Sequence, residues 1–280
     1  KLQGYHRPKS ISEALALLEK NSGTILVIAG GTKLVNTEND TVQELVDITS
    51  LGLRYIREDA GTFKIGATTN LQTIVSNPQI QHCCHGILSE AVVLDKHART
   101  LRNIATLGGE LLSSTPLSVL YCALSVLQAQ VRMTGSEEFA LAMNIFLNKR
   151  PLTGGLLIEI IVPKTEPQTY AAIASISTNS RKSPALASCV RFCVKNGNCH
   201  HVKIGLTGTE KVPQRQFDTE NVLEGKSLTN QNIEIAADTV YKEYKPITDS
   251  LASEEFRKEA CGLVVKKALT QCLKYAEEAL

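Results

Sequence analysis

The sequence contains few large aromatic side chains. It has no Trp, 6 Phe and 7 Tyr among 280 residues, and aromatic residues make up 5% of the chain. Hydrophobic residues still account for 43% and charged residues for 21%, which is typical of a globular protein and excludes a disordered or collagen-like chain. We therefore predict a mainly aliphatic core, large enough for one big domain or two moderate ones.

The sequence also lacks an excess of charge and a long apolar run. Its 30 Lys and Arg nearly balance 28 Asp and Glu, so nothing favours binding to nucleic acid or to an anionic membrane surface. No apolar run approaches the roughly 18 residues that a membrane-spanning helix needs. The first residues lack the apolar stretch of a signal peptide. We expect a cytoplasmic protein with no nucleic-acid and no membrane partner.

The eight cysteines form none of the common cysteine motifs. There is no C-x₂-C pair and no C-x₄-C-x₂-C spacing, the pattern of a plant-type [2Fe–2S] site. Their spread along the chain indicates reduced thiols rather than a disulfide framework. We assign Cys189 and Cys193 to the core, and Cys199-His200-His201 to the solvated start of a strand.

The run His82-Cys83-Cys84-His85 contains residue types that bind zinc. Four adjacent residues cannot all point at one ion, however, and no second cluster completes a tetrahedral site. We therefore predict a polar helix segment here. We predict no metal site and no catalytic acid–base pair elsewhere in the chain.

Hydrophobic periodicity predicts an α+β chain in which both halves mix helices and strands. Ser10-Ile11-Ser12-Glu13 is a capping box that begins a helix, and Asn196-Gly197 is the strongest hairpin signal. Pro163 and Pro167 mark a linker, so we place a domain boundary near residue 165. The predicted helices span about 10–20, 72–75, 79–95, 117–124, 229–244 and 253–279. The predicted strands span about 24–29, 44–49, 53–58, 62–67, 125–133, 156–162, 187–195 and 201–207.

Two glycine pairs are the candidates for chemistry. Gly30-Gly31-Thr32 ends an apolar run, and Gly108-Gly109 follows a stretch of small residues. Consecutive backbone N–H groups in such turns can bind an anion, and two turns on either side of a crevice could hold a pyrophosphate. The alternative is an ordinary tight turn, which a Gly-Gly pair after a strand usually forms. Neither the G-x-G-x-x-G fingerprint nor a P-loop is present.

Five segments, in order and over nearly the whole chain, give the sequence a family resemblance. It resembles the FAD-binding medium subunits of molybdenum hydroxylases, of the xanthine dehydrogenase and carbon monoxide dehydrogenase type, and is loosely similar to a bacterial purine-related branch. The segments are Val27 to Leu34, Ile65-Gly66-Ala67-Thr68-Thr69, Arg102 to Leu111, Leu157 to Pro163, and Ser253-Glu254-Glu255-Phe256-Arg257.

The resemblance implies a two-subdomain (PCMH-like) FAD-binding domain over 1–165, with subdomains of about 1–52 and 53–165. A small α+β C-terminal domain of the CO dehydrogenase flavoprotein type would then cover 166–280. The implied cofactor is non-covalent FAD, held by the first glycine loop, the second glycine loop and a leucine that enters the closing strand. These residues are Val27, Ile28, Ala29, Gly30, Gly31, Thr32, Lys33, Leu34, Thr106, Gly108, Gly109, Glu110 and Leu157. For Leu157, or its neighbour Leu156, ordinary core packing is the alternative.

The resemblance also implies a role in electron transfer. In such complexes a large subunit carries the molybdenum cofactor, a small subunit carries [2Fe–2S] clusters, and the flavin passes electrons to NAD⁺ or another acceptor. The implied assembly is a heterotrimer or a dimer of heterotrimers. A stand-alone flavin oxidase is a weaker alternative, because such enzymes are usually longer.

Three positions depart from the family pattern. Relatives often have Asp after Gly-Gly-Thr and Asn after the second Gly-Gly, where this chain has Lys33 and Glu110. They often have Asp where this chain has Val119. These departures favour an alternative function, a flavin-free scaffold or assembly subunit of the same kind of complex.

Overall fold

The structure, a computed structural model, describes residues 2–20, 24–33, 42–135, 137–146, 155–177 and 183–279. The chain divides into two units, each made of three chain segments. Unit 1 comprises Lys1–Ile74, Ala98–Ser113 and Ala129–Pro163, and unit 2 comprises Val75–His97, Ser114–Gln128 and Lys164–Leu280. Two segments that precede residue 165 thus belong to unit 2, and the domain boundary at 165 stays a prediction. None of the described helices is both long and apolar enough to cross a bilayer.

Unit 1 begins with a small parallel sheet covered by a helix. Strands β1 (Gly4–His6), β2 (Ile25–Ile28) and β3 (Glu44–Asp47) lie in the order β1-β3-β2. Helix α1 (Ile11–Lys20) begins at the predicted capping box, in which the N–H of Glu13 donates to Ser10 Oγ. The apolar side of α1 packs on this sheet. The helix predicted over about 10–20 and the strands predicted over about 24–29 and 44–49 are confirmed.

The second sheet of unit 1 is antiparallel and has the order β4-β5-β8-β6-β7. A helix α2 (Leu71–Val75) follows β5, and three further short helices complete the unit. The strands are β4 (Ile56–Glu58), β5 (Thr62–Gly66), β6 (Gln130–Thr134), β7 (Glu138–Ala142) and β8 (Leu156–Pro163). The helices are α5 (Arg99–Ile104), α6 (Leu107–Leu112) and α8 (Met143–Phe146).

A buried carboxylate lies in the central strand of that sheet. Glu159 on β8 is 2% exposed, and it accepts a hydrogen bond of 2.6 Å from the Tyr55 hydroxyl. Arg132 Nε lies 3.3 Å from the same carboxylate, which supplies the opposite charge that a buried anion needs. Burial and the bond to Glu159 raise the pKa of Tyr55 to about 12, so the phenol keeps its proton.

Unit 2 is built around an antiparallel sheet of order β12-β11-β10-β9. The longest helix of the unit packs on β9 and β10, and the second longest packs on that helix in the same hydrophobic core. A third helix, α7 (Val119–Val126), lies against β10 and β11. The strands are β9 (Thr169–Ile176), β10 (Leu186–Lys195), β11 (Asn198–Leu206) and β12 (Gln214–Arg215). The helices are α3 (Pro78–His82), α4 (Ile87–Asp95), α7 (Val119–Val126), α9 (Phe217–Leu223), α10 (Asn230–Glu243) and α11 (Glu254–Glu278).

Two predicted elements are wrong in their extent. The helix expected over 79–95 is broken by a 3₁₀ turn, Cys83–Gly86, in which Cys84, His85 and Gly86 all have positive φ. The strand expected over 125–133 begins only at Gln130, because α7 continues to Val126. In both places the helix ends where the backbone enters the left-handed region, at Cys84–Gly86 in the first case and at Gln128 in the second. The predicted free thiols agree with the structure, in which all eight cysteines are unbridged and seven are buried.

Candidate functional site

Three of the quoted sequence motifs meet in unit 1. The segment that follows β5 runs alongside the chain that leads into α6. Leu71 N–H donates to Ala105 O, Leu107 N–H donates to Thr69 O, and Gly108 N–H donates to Ala67 O, each over 2.9 Å. The middle motif therefore acts as a backbone support for the second glycine loop.

The first glycine loop lies directly against the same support. A Cβ atom built on Gly30 would be 2.2 Å from the carbonyl oxygen of Ile104 and 3.2 Å from Cα of Ala105. Only glycine permits so close an approach of two backbones. The glycine at position 30 thus lets two loops, more than 70 residues apart in sequence, meet side by side.

The backbone of the first loop offers hydrogen-bond donors. Within the described part of the chain, no acceptor is bonded to the N–H groups of Gly30, Gly31 and Thr32. Gly31 has a φ of +68°, the left-handed conformation that helps successive N–H groups form an anion-binding concavity. These residues are half-buried, so an anion bound here would be partly shielded from water.

In the second loop the backbone N–H groups are bonded within the protein, whereas we expected both turns to leave such groups open to a ligand. Gly108 N–H is bonded to Ala67 O, Gly109 N–H to Thr106 Oγ1, and Glu110 N–H to Thr106 O. Thr106 is the N-cap of α6, so its hydroxyl satisfies the helix end. The glycines here provide close packing, since a Cβ on Gly108 would lie 2.9 Å from Ala67 O. Of the two glycine pairs, only Gly30-Gly31 has backbone N–H groups without an acceptor among the described residues, and the role of each pair in anion binding stays a prediction.

The two departures from the family pattern in these loops contact each other. Lys33 Nζ in the first loop lies 3.8 Å from Glu110 Oε2 on α6. The Lys33 side chain is 41% exposed, whereas that of Glu110 is 9% exposed. The pair therefore sets opposite charges of the first loop and of α6 against each other.

The remaining predicted site residues lie in or next to strands of unit 1, or outside the described residues. Val27 and Ile28 are the last residues of β2, and Ala29 leads from that strand to the glycines. Leu157 is buried in β8, in agreement with core packing, and its contact with a cofactor stays a prediction. Leu34 lies outside the described residues.

Val119 lies in unit 2, where it is the first residue of α7. The Asp95 carboxylate accepts hydrogen bonds from the N–H groups of Val119 and Leu120, each over 2.9 Å, and from the Ser118 hydroxyl over 3.0 Å. Burial raises the pKa of Asp95, and these bonds act against that shift. The apolar residue at 119 thus belongs to a helix start whose acidic partner comes from α4.

Sequence reasoning missed two residues that shape the loops. Ile104 supplies the carbonyl against which Gly30 packs. Asn70 accepts from Thr73 N–H and donates to Asn103 O, which fixes the start of α2 beside the second loop. Asn70 lies immediately after the quoted motif that ends at Thr69, and an Asn before an apolar helical stretch is a cap signal that could have identified it.

Comparison with protein families identifies the domain that contains these loops. The family described as "FAD binding domain in molybdopterin dehydrogenase" matches residues 1–165, which contain both glycine loops. The chain belongs to this family. The family described as "CO dehydrogenase flavoprotein C-terminal domain" matches residues 178–272. The chain therefore has the predicted α+β fold class, and its FAD-binding domain contains the two glycine loops.

Similar proteins are medium chains of multi-subunit enzymes. This chain is 29% identical to the carbon monoxide dehydrogenase medium chain of Hydrogenophaga pseudoflava over 278 residues, 95% of each protein. It is 26% identical to the glyceraldehyde dehydrogenase medium chain of Sulfolobus acidocaldarius, over 95% of this chain and 97% of that one. A solved structure of Hydrogenophaga pseudoflava carbon monoxide dehydrogenase that lacks the Mo-pyranopterin moiety superposes with a TM-score of 0.91 at 26% identity, over 98% of each chain. The flavoprotein is thus a subunit type found in molybdenum oxidoreductases.

Proposed function

We propose that this flavoprotein binds FAD non-covalently between its two glycine loops and transfers electrons within a molybdenum hydroxylase complex. The observation that carries the proposal is the set of three backbone N–H groups at Gly30, Gly31 and Thr32, which bond to no acceptor among the described residues, in a loop that also contains Lys33. Such donors and a cation suit the diphosphate of FAD, which carries negative charge.

Each part of the site has a separate task in this proposal. The first loop binds the diphosphate, and Gly31 presents the donors. The second loop forms a rigid wall, because the N–H groups of Leu107 to Glu110 are bonded within unit 1. Bound FAD supplies reversible one- and two-electron redox chemistry, which the side chains of these two loops do not supply.

The electron donor and acceptor belong to other chains in this proposal. Electrons arrive from [2Fe–2S] clusters on a small subunit and leave to NAD⁺ or another acceptor, after oxidation of substrate at a molybdenum cofactor on a large subunit. Two observations support this division. The cysteines lack the ligand spacing of a plant-type cluster, and the similar medium chains come from enzymes named for substrates as different as carbon monoxide and glyceraldehyde. A cytoplasmic heterotrimer is the proposed setting.

The visible spectrum of the purified chain tests the proposal. We expect a flavin spectrum, and denaturation should release FAD in a one-to-one ratio to protein, because nothing in the site implies a covalent link. A colourless chain that cannot be reconstituted with FAD would instead support the flavin-free scaffold. In that case the Lys33–Glu110 pair would serve only to join the loops.

Replacement of Lys33 by Met is expected to weaken FAD binding about tenfold, or about 1.4 kcal/mol. The change removes the cation of the first loop, whereas an ion pair with one partner 41% exposed contributes less than about 1 kcal/mol to folding. FAD titration of the apoprotein measures the first effect, and urea unfolding measures the second.

Lys64→Met is the matched control for this change. Lys64 also has 41% side-chain exposure and also pairs with a carboxylate, that of Asp59, but it lies on β5. Equal FAD affinity in the Lys33→Met and Lys64→Met proteins would contradict the assignment of Lys33 to the diphosphate.

A further inference from the structure

A cluster of three potential metal ligands lies in unit 2. One carboxylate oxygen of Glu166, the Cys193 Sγ atom and one imidazole nitrogen of His201 all lie within 4.8 Å of one another. No other group of three such side chains is found among the described residues. The ligands come from the segment before β9, from β10 and from β11, so the strand pairing of unit 2 assembles the cluster.

The strand register explains how the three segments converge. Cys193 is paired with Thr169 on one side and with His200 on the other. An irregularity between Arg191 and Cys193 leaves one extra residue on β11, and His201 there has a φ of +55°. A bulge of this kind turns a side chain away from the regular alternation, and bulges are over-represented next to functional sites.

The bulge is fixed by a carboxylate. The Glu224 side chain accepts hydrogen bonds from the N–H groups of His201 and Val202, each over 2.9 Å. A positive φ in a non-glycine residue costs about 1–3 kcal/mol and persists where the surrounding structure imposes it. Glu224 therefore holds His201 in the conformation that brings its ring toward Cys193.

We propose that Glu166, Cys193 and His201 form a binding site for a borderline-soft divalent ion, with Zn²⁺ as the best match. Thiolate, imidazole and carboxylate are the three ligand types that Zn²⁺ uses in proteins. Three protein ligands leave the fourth tetrahedral position for water. Cys193 is 3% exposed and is held in β10, whereas Glu166 and His201 are exposed and can move inward to meet the ion.

Charged side chains next to the three ligands determine which groups a metal ion must displace. Glu166 Oε2 is 2.6 Å from Lys195 Nζ, so the ion must take the other carboxylate oxygen or displace the lysine. Burial raises the pKa of the Cys193 thiol, and Glu166 adds to that shift while Lys195 and Arg191 oppose it. A divalent ion therefore has to displace the thiol proton, as it does at other protein thiolates.

Titration of the full-length chain with Co²⁺ tests the proposal. We expect one Co²⁺ per chain, with a thiolate-to-cobalt band and the visible bands of a tetrahedral ion, and we expect Zn²⁺ to displace it. Cys193→Ser, His201→Gln and Glu166→Gln should each weaken binding at least about tenfold. Glu166 and His201 are exposed, so these two variants test the site even if Cys193→Ser fails to fold.

Two controls separate this site from other ligands in the chain. His200→Gln changes the neighbouring residue of the same strand, and Cys83→Ser removes a half-buried thiol of unit 2; both proteins should bind Co²⁺ like the wild type. Undiminished binding in Cys193→Ser and His201→Gln, or no tetrahedral Co²⁺ spectrum in the wild type, would overturn the proposal. FAD content is expected to be the same in all these proteins, so the outcome is independent of the flavin site.

Discussion

Gly30→Ala is expected to abolish FAD binding in practice, with a loss of at least about 100-fold in affinity, or about 2.7 kcal/mol. The added Cβ would lie 2.2 Å from Ile104 O and 3.0 Å from Ile104 C, both of them backbone atoms. A flexible side chain could turn away from such a contact, but the backbone at Ile104 and Ala105 is held by the bond between Leu71 N–H and Ala105 O. The first loop must therefore move away from the second, and its donors move with it.

Gly61→Ala is the matched control for this substitution. Gly61 lies in the turn between β4 and β5, and a Cβ built there meets no atom within 4 Å. Flavin content, FAD titration and circular dichroism of the two variants would show whether the effect is local to the loops. Full FAD content in a folded Gly30→Ala protein would contradict the assignment of the first loop.

Local signals in the sequence predicted several of the regular elements, although the strand β9 and the helix α9 were missed. The capping box at Ser10 and Glu13 begins α1, and the Asn196-Gly197 turn joins β10 to β11. The long amphipathic pattern of 253–279 corresponds to α11, whose N-cap Ser253 accepts from Phe256 N–H. Such signals depend on residues within one or two turns of each other, so they can be recognised without knowledge of the fold.

The parts that the sequence could not reveal depend on distant contacts. Apolar residues recur at a helical spacing on both sides of the turn at 83–86, and nothing local indicates that Cys84 and His85 adopt positive φ. The Gly-Gly pairs look alike in sequence, yet only the first leaves its N–H groups without a described acceptor, because the second is bonded to Ala67 and Thr106.

The departures from the family pattern at Lys33 and Glu110 also depend on a contact between distant residues. Taken singly, Lys33 and Glu110 look like losses of polar contacts to a flavin. The structure places them 3.8 Å apart as opposite charges in neighbouring loops, so each substitution supplies the partner of the other. A pair so far apart in the chain can be recognised only after the two loops are known to meet.

Arg257→Met is expected to destabilise the protein by about 2–3 kcal/mol, because it leaves the Ala185 and Ile247 carbonyls and the partly exposed Asp249 carboxylate without their donor. The Arg257 side chain is fully buried on α11. It donates to both oxygens of Asp249 (2.8 and 2.7 Å), to Ala185 O (2.9 Å) and to Ile247 O. Three chain segments of unit 2 thus depend on one guanidinium, and a methionine fills part of its volume but satisfies none of these acceptors.

Lys274→Met controls for the loss of a positive charge on the same helix, since Lys274 is exposed. Urea unfolding at neutral pH should show the large loss for Arg257→Met and a change within about 0.5 kcal/mol for Lys274→Met. A stability of Arg257→Met within about 1 kcal/mol of the wild type would refute the assigned role of this side chain.

The acid limb of the stability curve provides an independent check on the same ion pair. Partial burial alone would raise the pKa of Asp249, but hydrogen bonds from Arg257 and from the N–H groups of Leu251 and Ala252 lower it below its ordinary value of 3.8. A carboxyl with a lowered pKa stabilises the folded state fully above 3.8, and that contribution is lost as the pH falls through the lowered value. Arg257→Met removes the main charged partner, so the pKa of Asp249 should rise and the wild type should lose more stability than the variant below this pH. Parallel acid limbs in the two proteins would mean that the bidentate pair does not control the ionisation of Asp249.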